Sequence, residues 1–368
     1  MLSDVSGHLE YGIGASAINF NGKHRYIRIT DISNWGKNEI TSPSFIEKSA
    51  ILNDGDILLA RTGATVGDSF IYKDDGVESY FAGFLIRAKV QKANPYFVYY
   101  QLKTLKYAQW VKISSARSGQ PGINSEQFGS YRICITEYNE QQKIANFLKA
   151  IDERIEAQNK IIEDLIALRN QINNVFFDSI NTCVKFNELY ITASEGGTPD
   201  TSKGEYYLNG TIPFIKIENL YEKYLFLSNS FISESGLQNS SAWLVPKESI
   251  LLSNGATIGE TTILKIDAAT KQGILGIIPK KPYDSEILYY TFKSRRFAKI
   301  LKRITTKGTM EAAYLKDLNK EKVFLTCDEN MNSHVRLMSL IDEKIIAERQ
   351  ILNLLVKQKQ YLLDNLFI

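Results

Sequence analysis

Catalytic chemistry leaves characteristic residue spacings, and this chain of 368 residues carries few of them. Asn94-Pro95-Tyr96-Phe97 has part of the Asn-Pro-Pro-aromatic pattern whose polar groups hold an amine for methyl transfer. The second proline is missing, and the quartet reads better as the start of a helix through Tyr99 and Tyr100. Gly12-Ile13-Gly14-Ala15-Ser16-Ala17 mimics a dinucleotide loop. Such a loop works only inside a strand-helix-strand unit that points a helix N-terminus at phosphate, and no such unit is legible around it. His8, His24 and His334 are scattered, lack metal-ligand spacing and read as surface residues. There is no GxSxG, HExxH or P-loop. Asp152-Glu153 and Asp342-Glu343 lie in long helical stretches and read as solvated faces rather than as acid-base pairs. What remains is chemistry for binding.

Binding to DNA needs Lys and Arg for phosphates, and Arg and amide groups for base edges. Such residues fall at matching places in the two halves of the chain. The polar loop around Ser114 to Asn124 brings Lys112, Arg117, Gln120 and Asn124; its counterpart, Thr305 to Ala313, adjoins Arg303 and contains Lys307 and Thr309. Arg61, followed by Thr62, and Asn254 stand just before two Gly-Ala-Thr-aliphatic-Gly turns, Gly63 to Gly67 and Gly255 to Gly259. Arg28 and Asp31 answer Lys216 and Asn219. Any one of these side chains alone reads better as solvated surface. Polar and basic residues in the same loops of both halves, with different identities, suggest one scaffold with two targets.

The elements that must position these loops are also duplicated. From Glu140 to Phe177, residues Leu148, Ile151, Ile155, Gln158, Ile162, Leu165, Arg169, Ile172 and Phe176 recur at alternating steps of three and four, the seam of a coiled coil. About 190 residues later the pattern returns as Met338, Ile341, Ile345, Glu348, Leu352, Leu355, Lys359, Leu362 and Leu366. A helix of roughly 38 residues is about 57 Å long, too long for the core of a small domain. Two such helices bury their seams most simply against each other as an antiparallel pair.

Each helix is preceded by a similar block. Tyr26-Ile27-Arg28-Ile29 answers Phe214-Ile215-Lys216-Ile217, and both alternate like half-buried strands. Tyr99-Tyr100 answers Tyr289-Tyr290. The predicted architecture is α+β: two mixed, strand-rich recognition domains at 1–138 and 181–330, and two spacer helices at 139–180 and 331–368, with an internal repeat. The second block has room for a strand around Val184 to Leu189. The first has only Met1 to Gly7 there, so it looks clipped at its start.

Composition is ordinary for a globular protein, with 44% hydrophobic and 23% charged residues. Cys134, Cys183 and Cys327 are far apart, which argues against a disulfide framework and fits a reducing cytosol. No run of 18 apolar residues or basic-then-apolar leader is present. The net charge of +3 permits nucleic-acid binding without arguing for it.

With these features together, the chain resembles the specificity (S) subunit of type I restriction–modification systems. The resemblance covers nearly the whole sequence. It rests on the tandem blocks and repeat helices, Gly196-Gly197-Thr198-Pro199, Ile212-Pro213-Phe214-Ile215-Lys216-Ile217 leading to Asn219-Leu220, both glycine turns, and the entry Glu140-Gln141-Gln142-Lys143-Ile144-Ala145 followed by Ile151-Asp152. The first half departs from the pattern, with Gly12-Ile13-Gly14-Ala15 where Gly-Gly-Thr-Pro would stand. The resemblance implies a cytoplasmic, non-enzymatic subunit with no cofactor of its own. It would read a bipartite double-stranded DNA site, one half per domain, with the helix pair as a ruler. It would dock two methyltransferase (M) subunits, which methylate adenine N6 from S-adenosylmethionine, and restriction (R) subunits, which use ATP and Mg2+. The competing expectations are a protein scaffold without sequence-dependent DNA affinity and a self-contained modifying enzyme.

Overall fold

The computed structural model describes residues 1–32, 38–116, 120–255, 257–305 and 312–367. The chain forms two compact units, Met1–Lys160 with Arg349–Ile368, and Ile161–Glu348. Each unit contains one globule and part of each long helix, Tyr138–Ser179 and Glu329–Leu366. The boundary between units thus falls within the helices, whereas the sequence segments were drawn at helix ends.

In the first unit, an antiparallel sheet runs in the order Glu10–Tyr11, Leu85–Ala88, Ile57–Ala60, Ser69–Ile71. Ile57–Ala60 is buried on both faces, as its uninterrupted apolar run requires. Side-chain alternation sorts it between two cores. Ile57 and Leu59 join Ile86, Val98 and Phe128, while Leu58 and Ala60 join Tyr26, Tyr80 and Phe81. His24–Ile27 pairs in parallel with Glu78–Phe81. The second unit repeats this plan. Ile250–Ser253 lies between Ile274–Pro279 and Thr261–Leu264 in a five-stranded sheet. Ile250 and Leu252 face the core containing Phe186 and Phe292, and Leu251 faces Ile215 and Val245. Phe214–Ile215 pairs in parallel with Ala269–Thr270.

Two short helices follow the sheet in each unit. Asn94 caps Pro95–Gln101 by accepting from Phe97 N at 3.1 Å, and Pro95 occupies the first turn, where its missing N–H costs nothing. Asn94-Pro95 is therefore a helix start, as read from the sequence. Asp284 caps Ser285–Phe292 in the same way, and Thr104 and Ser294 cap Leu105–Ser114 and Arg295–Ile304. The N-termini of these last two helices rest on the long helices through equivalent bonds. Leu105 N donates to Asp364 Oδ1 at 2.9 Å, and Arg295 N donates to Asn174 Oδ1 at 2.7 Å. In place of a strand, Leu2–Ser6 forms a helical turn whose Leu2 N donates to Tyr131 O. In the second unit the equivalent bond runs from Phe186 N to Glu321 O, just after the strand Cys183–Lys185.

The long helices pack antiparallel within each unit. In the first, Ala145 and Leu148 meet Leu363 and Phe367 together with Phe97 and Tyr100. In the second, Phe177 meets Met331 and Met338, flanked by Ile172 and Ile341. Leu148, Ile162, Ile345 and Leu355 are buried, and Ile151, Ile155, Leu165, Ile172, Ile341, Leu352 and Leu362 are half-buried. The seam leaves its sequence register at the end, where Leu366 is 36% exposed and Leu363 and Phe367 are buried. A straight helix drifts by about 20° per heptad against a 3.5-residue repeat, which moves the apolar stripe off the heptad positions.

His334 departs from the surface reading. It is buried, its ring stacks on Phe176 at 3.9 Å, and a ring nitrogen lies 2.9 Å from Asn173 Oδ1. Burial pushes its imidazole down to about 4.

Each globule is also tied to the helices by a tyrosine, an aspartate and a cation. Tyr100 donates to Asp152 Oδ2 at 2.9 Å, and Lys359 pairs with the other oxygen of Asp152. Tyr290 donates to Asp342 Oδ2 at 2.7 Å, and Arg169 Nη1 donates to Asp342 Oδ1 at 2.8 Å. In the second unit Lys223 joins the group, 2.7 Å from Glu286 and 3.8 Å from Asp342. The polar interruptions Arg169 and Lys359 thus hold the aspartates, and the aspartates hold the globules rather than forming a solvated face.

Candidate nucleic-acid interface

The two sequence stretches singled out for binding meet in each globule. In the first, Gly67 N donates to Ala60 O at 2.8 Å and closes the Gly63–Gly67 turn. The returning loop lies along it: Ile123 N donates to Arg61 O at 2.9 Å, Gly63 N donates to Pro121 O at 3.3 Å, and Thr62 forms a bridge with Gly122. The exposed Gln120 lies over the turn, its Nε2 3.7 Å from where a Cβ on Gly63 would stand. In the second globule, Gly259 N donates to Ser253 O at 3.0 Å, and Ala313 N donates to Asn254 O at 3.0 Å. Main-chain bonds therefore fix the relation of turn to loop, and the side chains are left to vary.

Both turns rest on the neighbouring helix. Gly67 has φ of +88°, and a Cβ there would come within 2.5 Å of Val111 Cγ1. Gly259 has φ of +99° and faces Leu301, the equivalent residue. Only glycine takes this conformation at little cost. Gly12 and Gly196 share a different role. Their amides donate to Leu85 O and Ile274 O, and a side chain would be driven into the carbonyl oxygens of Ala82 and Thr270. Gly12 is thus a packing glycine that substitutes for Gly196, which accounts for the false dinucleotide pattern.

The candidate side chains differ in how freely they stand. Arg61 stacks on Tyr11, 4.8 Å from the ring centre, and its Nε is buried without a hydrogen-bond partner among the described residues. Tyr11 accepts from Ser125 N at 3.1 Å. Partial burial raises the phenol's pKa, but the hydrogen bond from Ser125 outweighs it and leaves the pKa below the ordinary value. Lys112 and Gln120 are exposed. Lys216 lines a cleft of about 380 Å3 with Lys271, Thr198, Tyr207 and Phe231. Arg303 is exposed and paired with Glu321.

Four expected contacts are either engaged otherwise or buried. Arg28 forms a forked pair with Asp31, at 3.0 and 3.1 Å. Burial raises the Asp31 carboxyl, and the bonds from Arg28 and Asn38 bring it below its ordinary value. Asn219 Oδ1 accepts from Lys216 N at 2.9 Å, and Asn124 forms a capping box with Gln127. These side chains stabilise their own turns. Asn254 is 2% exposed, and its Oδ1 lacks a partner among the described residues. Its position on a buried strand end removes it from the surface. Arg117, Lys307 and Thr309 lie outside the described residues. Tyr11 and Lys271 were not singled out from the sequence. Tyr11 is an isolated aromatic on an edge strand, and only the fold brings it to Arg61.

The described residues contain no group of three or more His, Cys, Asp or Glu able to hold a metal ion, and no helix long and apolar enough to cross a membrane. A repeated globule with a fixed turn-and-loop frame, each copy packed on a stretch of both long helices, defines a two-module protein. The chain belongs to the type I restriction modification DNA specificity domain family, whose pattern matches residues 13–166 and 184–361. It is 32% identical over 177 residues to the type I restriction enzyme MjaIX specificity subunit of Methanocaldococcus jannaschii, covering 47% of this chain and 40% of that one. It is 25% identical over 175 residues to the EcoR124I/EcoR124II specificity subunit of Escherichia coli, covering 45% and 43%. The chain thus spans about two fifths of the length of these relatives. The fold is similar to that of the type I restriction-modification S subunit from M. genitalium, with TM-score 0.60, 17% identity and coverage of 100% and 95%.

Proposed function

We propose that this chain is the DNA specificity subunit of a type I restriction–modification complex. Each globule reads one half of a split double-stranded site through its glycine turn and returning loop. The observation that carries this reading is the repeated backbone frame with unlike side chains: Arg61 on Tyr11 precedes the turn in one copy and the buried Asn254 precedes it in the other, and the second globule has the Lys216–Lys271 cleft elsewhere on its surface. Arg suits bidentate contact with guanine, and lysines suit phosphates. The helix pair sets the gap between half-sites and provides the docking surface for two M subunits. Methyl transfer from S-adenosylmethionine, and ATP- and Mg2+-dependent cleavage by R subunits, belong to those partners. The chain itself is non-catalytic and acts in the cytoplasm.

The test is selection from a randomised duplex library by the purified chain assembled with its M subunit. Enrichment of two short sequences separated by a fixed unspecified gap is expected. Stable assembly without any sequence enrichment would favour a protein scaffold and sink the DNA reading.

A further inference from the structure

The second unit carries a cationic cleft outside the turn-and-loop frame. It has a volume of about 770 Å3 and runs along one face of Arg295–Ile304. Arg295, Lys299 and Arg303 follow each other at intervals of four residues, about 6 Å of helix rise per step. Lys320 and Lys322 form the opposite wall, and Arg296 completes six cations against two carboxylates, Asp178 and Glu321.

The six cations are not equivalent. Arg296 is structural: it donates to Phe177 O at 2.9 Å and Ile180 O at 2.5 Å, at the end of the first long helix, and lies over Phe324. Arg295 pairs with Asp178, Arg303 with Glu321 and Lys320 with Asp317. Lys299 and Lys322 are exposed and form no ion pair among the described residues. The cleft therefore keeps a surplus of positive charge after its internal pairs are made.

The duplicated fold supplies a control. Leu105, Gln109 and Ile113 occupy the places of Arg295, Lys299 and Arg303 in the first unit. That equivalence is fixed by the matching bonds of Leu105 N and Arg295 N to the long helices. Leu105 is 57% and Ile113 77% exposed. The same helix thus folds and docks without these charges, so folding does not account for them. A small-molecule site would be mainly apolar, whereas only Ile300 and Phe324 contribute apolar side chains here. The cleft ends at Arg303, two residues before Thr305, where the candidate recognition loop begins. It therefore adjoins that loop in sequence.

We propose that this cleft grips the sugar-phosphate backbone of duplex DNA beside the second half-site, a sequence-independent hold that the first unit's helix, with Leu105, Gln109 and Ile113 in place of Arg295, Lys299 and Arg303, does not offer. The inference rests on the DNA-reading function above and adds to it. Neutralising phosphates with Lys and Arg releases counterions, so each contact contributes about 0.9 to the slope of log affinity against log salt.

The experiment measures binding of an arbitrary-sequence duplex to the chain assembled with its M subunit, by fluorescence anisotropy between about 50 and 200 mM salt. K299A/K322A is expected to weaken binding several-fold and lower the slope by about one to two, with the melting temperature unchanged. K299R/K322R should retain both affinity and slope. An unchanged slope in K299A/K322A overturns the proposal, as does loss of M-subunit association with DNA affinity intact, which would make the cleft a protein contact. If the unmutated complex binds no DNA at any salt, the functional reading falls as well. If it binds and only the variants show no effect, the cleft inference alone falls.

Discussion

Replacing Asp342 or Asp152 by alanine tests how the globules are fastened, because the two residues do the same job in different surroundings. Asp342 has a side chain 9% exposed and is bonded to Tyr290 at 2.7 Å and Arg169 at 2.8 Å, with Lys223 at 3.8 Å. Asp342→Ala leaves Arg169 without this partner and removes one of two carboxylates from the buried Lys223. Removing one member of a buried pair costs about 3–5 kcal/mol. Lys223 keeps Glu286 at 2.7 Å, so the lower end, about 3 kcal/mol, is expected. Asp152 is 36% exposed, and its bonds to Tyr100 and Lys359 compete with water. Asp152→Ala is expected to cost about 1 kcal/mol. Amide hydrogen exchange by mass spectrometry reads each site separately. Peptides covering 169–177 and 331–341 should exchange about 100-fold faster in Asp342→Ala. Peptides covering 144–151 and 359–366 should exchange only about fivefold faster in Asp152→Ala. Equal losses of protection, or a greater loss around Asp152, would refute the view that burial makes the second fastening the stronger.

Three further outcomes are expected. His334 is buried neutral with its imidazole held down near 4, so the unfolded chain takes up the proton first as pH falls from about 6.5 to 4. Up to about 3 kcal/mol of stability is then lost from the second unit, and His334→Gln should flatten that acid slope in denaturation experiments. Gly67→Ala combines a φ of +88° with a Cβ pressed onto Val111 and should cost about 1–3 kcal/mol in urea unfolding, with the first half of the recognised site weakened before the second. Inserting one heptad into each helix, within Ile155–Leu165 and at the matching place in the second, adds about 10 Å and should widen the gap in the selected sequence by up to about three base pairs. Unchanged spacing would remove the ruler.

The duplicated plan was legible because period and repeat are properties of the sequence. The 3.5-residue seam, the tyrosine pairs and the glycine turns stand about 190 residues apart in each copy, and the strands at Ile57 and Ile250 show as unbroken apolar runs. The sequence also marked the turn and the loop in each half, through their matching polarity, but not that the two meet. It did not show which side chains are already occupied. Arg28 and Asn124 have the right chemistry for DNA, but each lies three residues from a partner that completes a turn or cap. Asp152 and Asp342 looked solvated because the groups that bury them, Tyr100 and Tyr290, lie 52 residues away in sequence. His334 was misread for the same reason, since Asn173 is 161 residues distant. Gly12 imitated a phosphate loop because close backbone packing and phosphate approach both demand the absence of a side chain. The basic face of Arg295–Ile304 was partly visible, but its opposing wall at Lys320 and Lys322 appears only once the strand Lys322–Phe324 is paired with Cys183–Lys185.

The central claim is that two globules on one helix pair read two separate DNA sequences for a methyltransferase partner. It is tested most directly by co-expressing the chain with its M subunit and mapping N6-methyladenine across the host DNA. The account predicts a split motif, two short defined sequences around a fixed undefined gap, and a change confined to one of them when Arg61 is replaced by alanine. A contiguous motif, or no new methylation from a soluble, assembled pair, would contradict it.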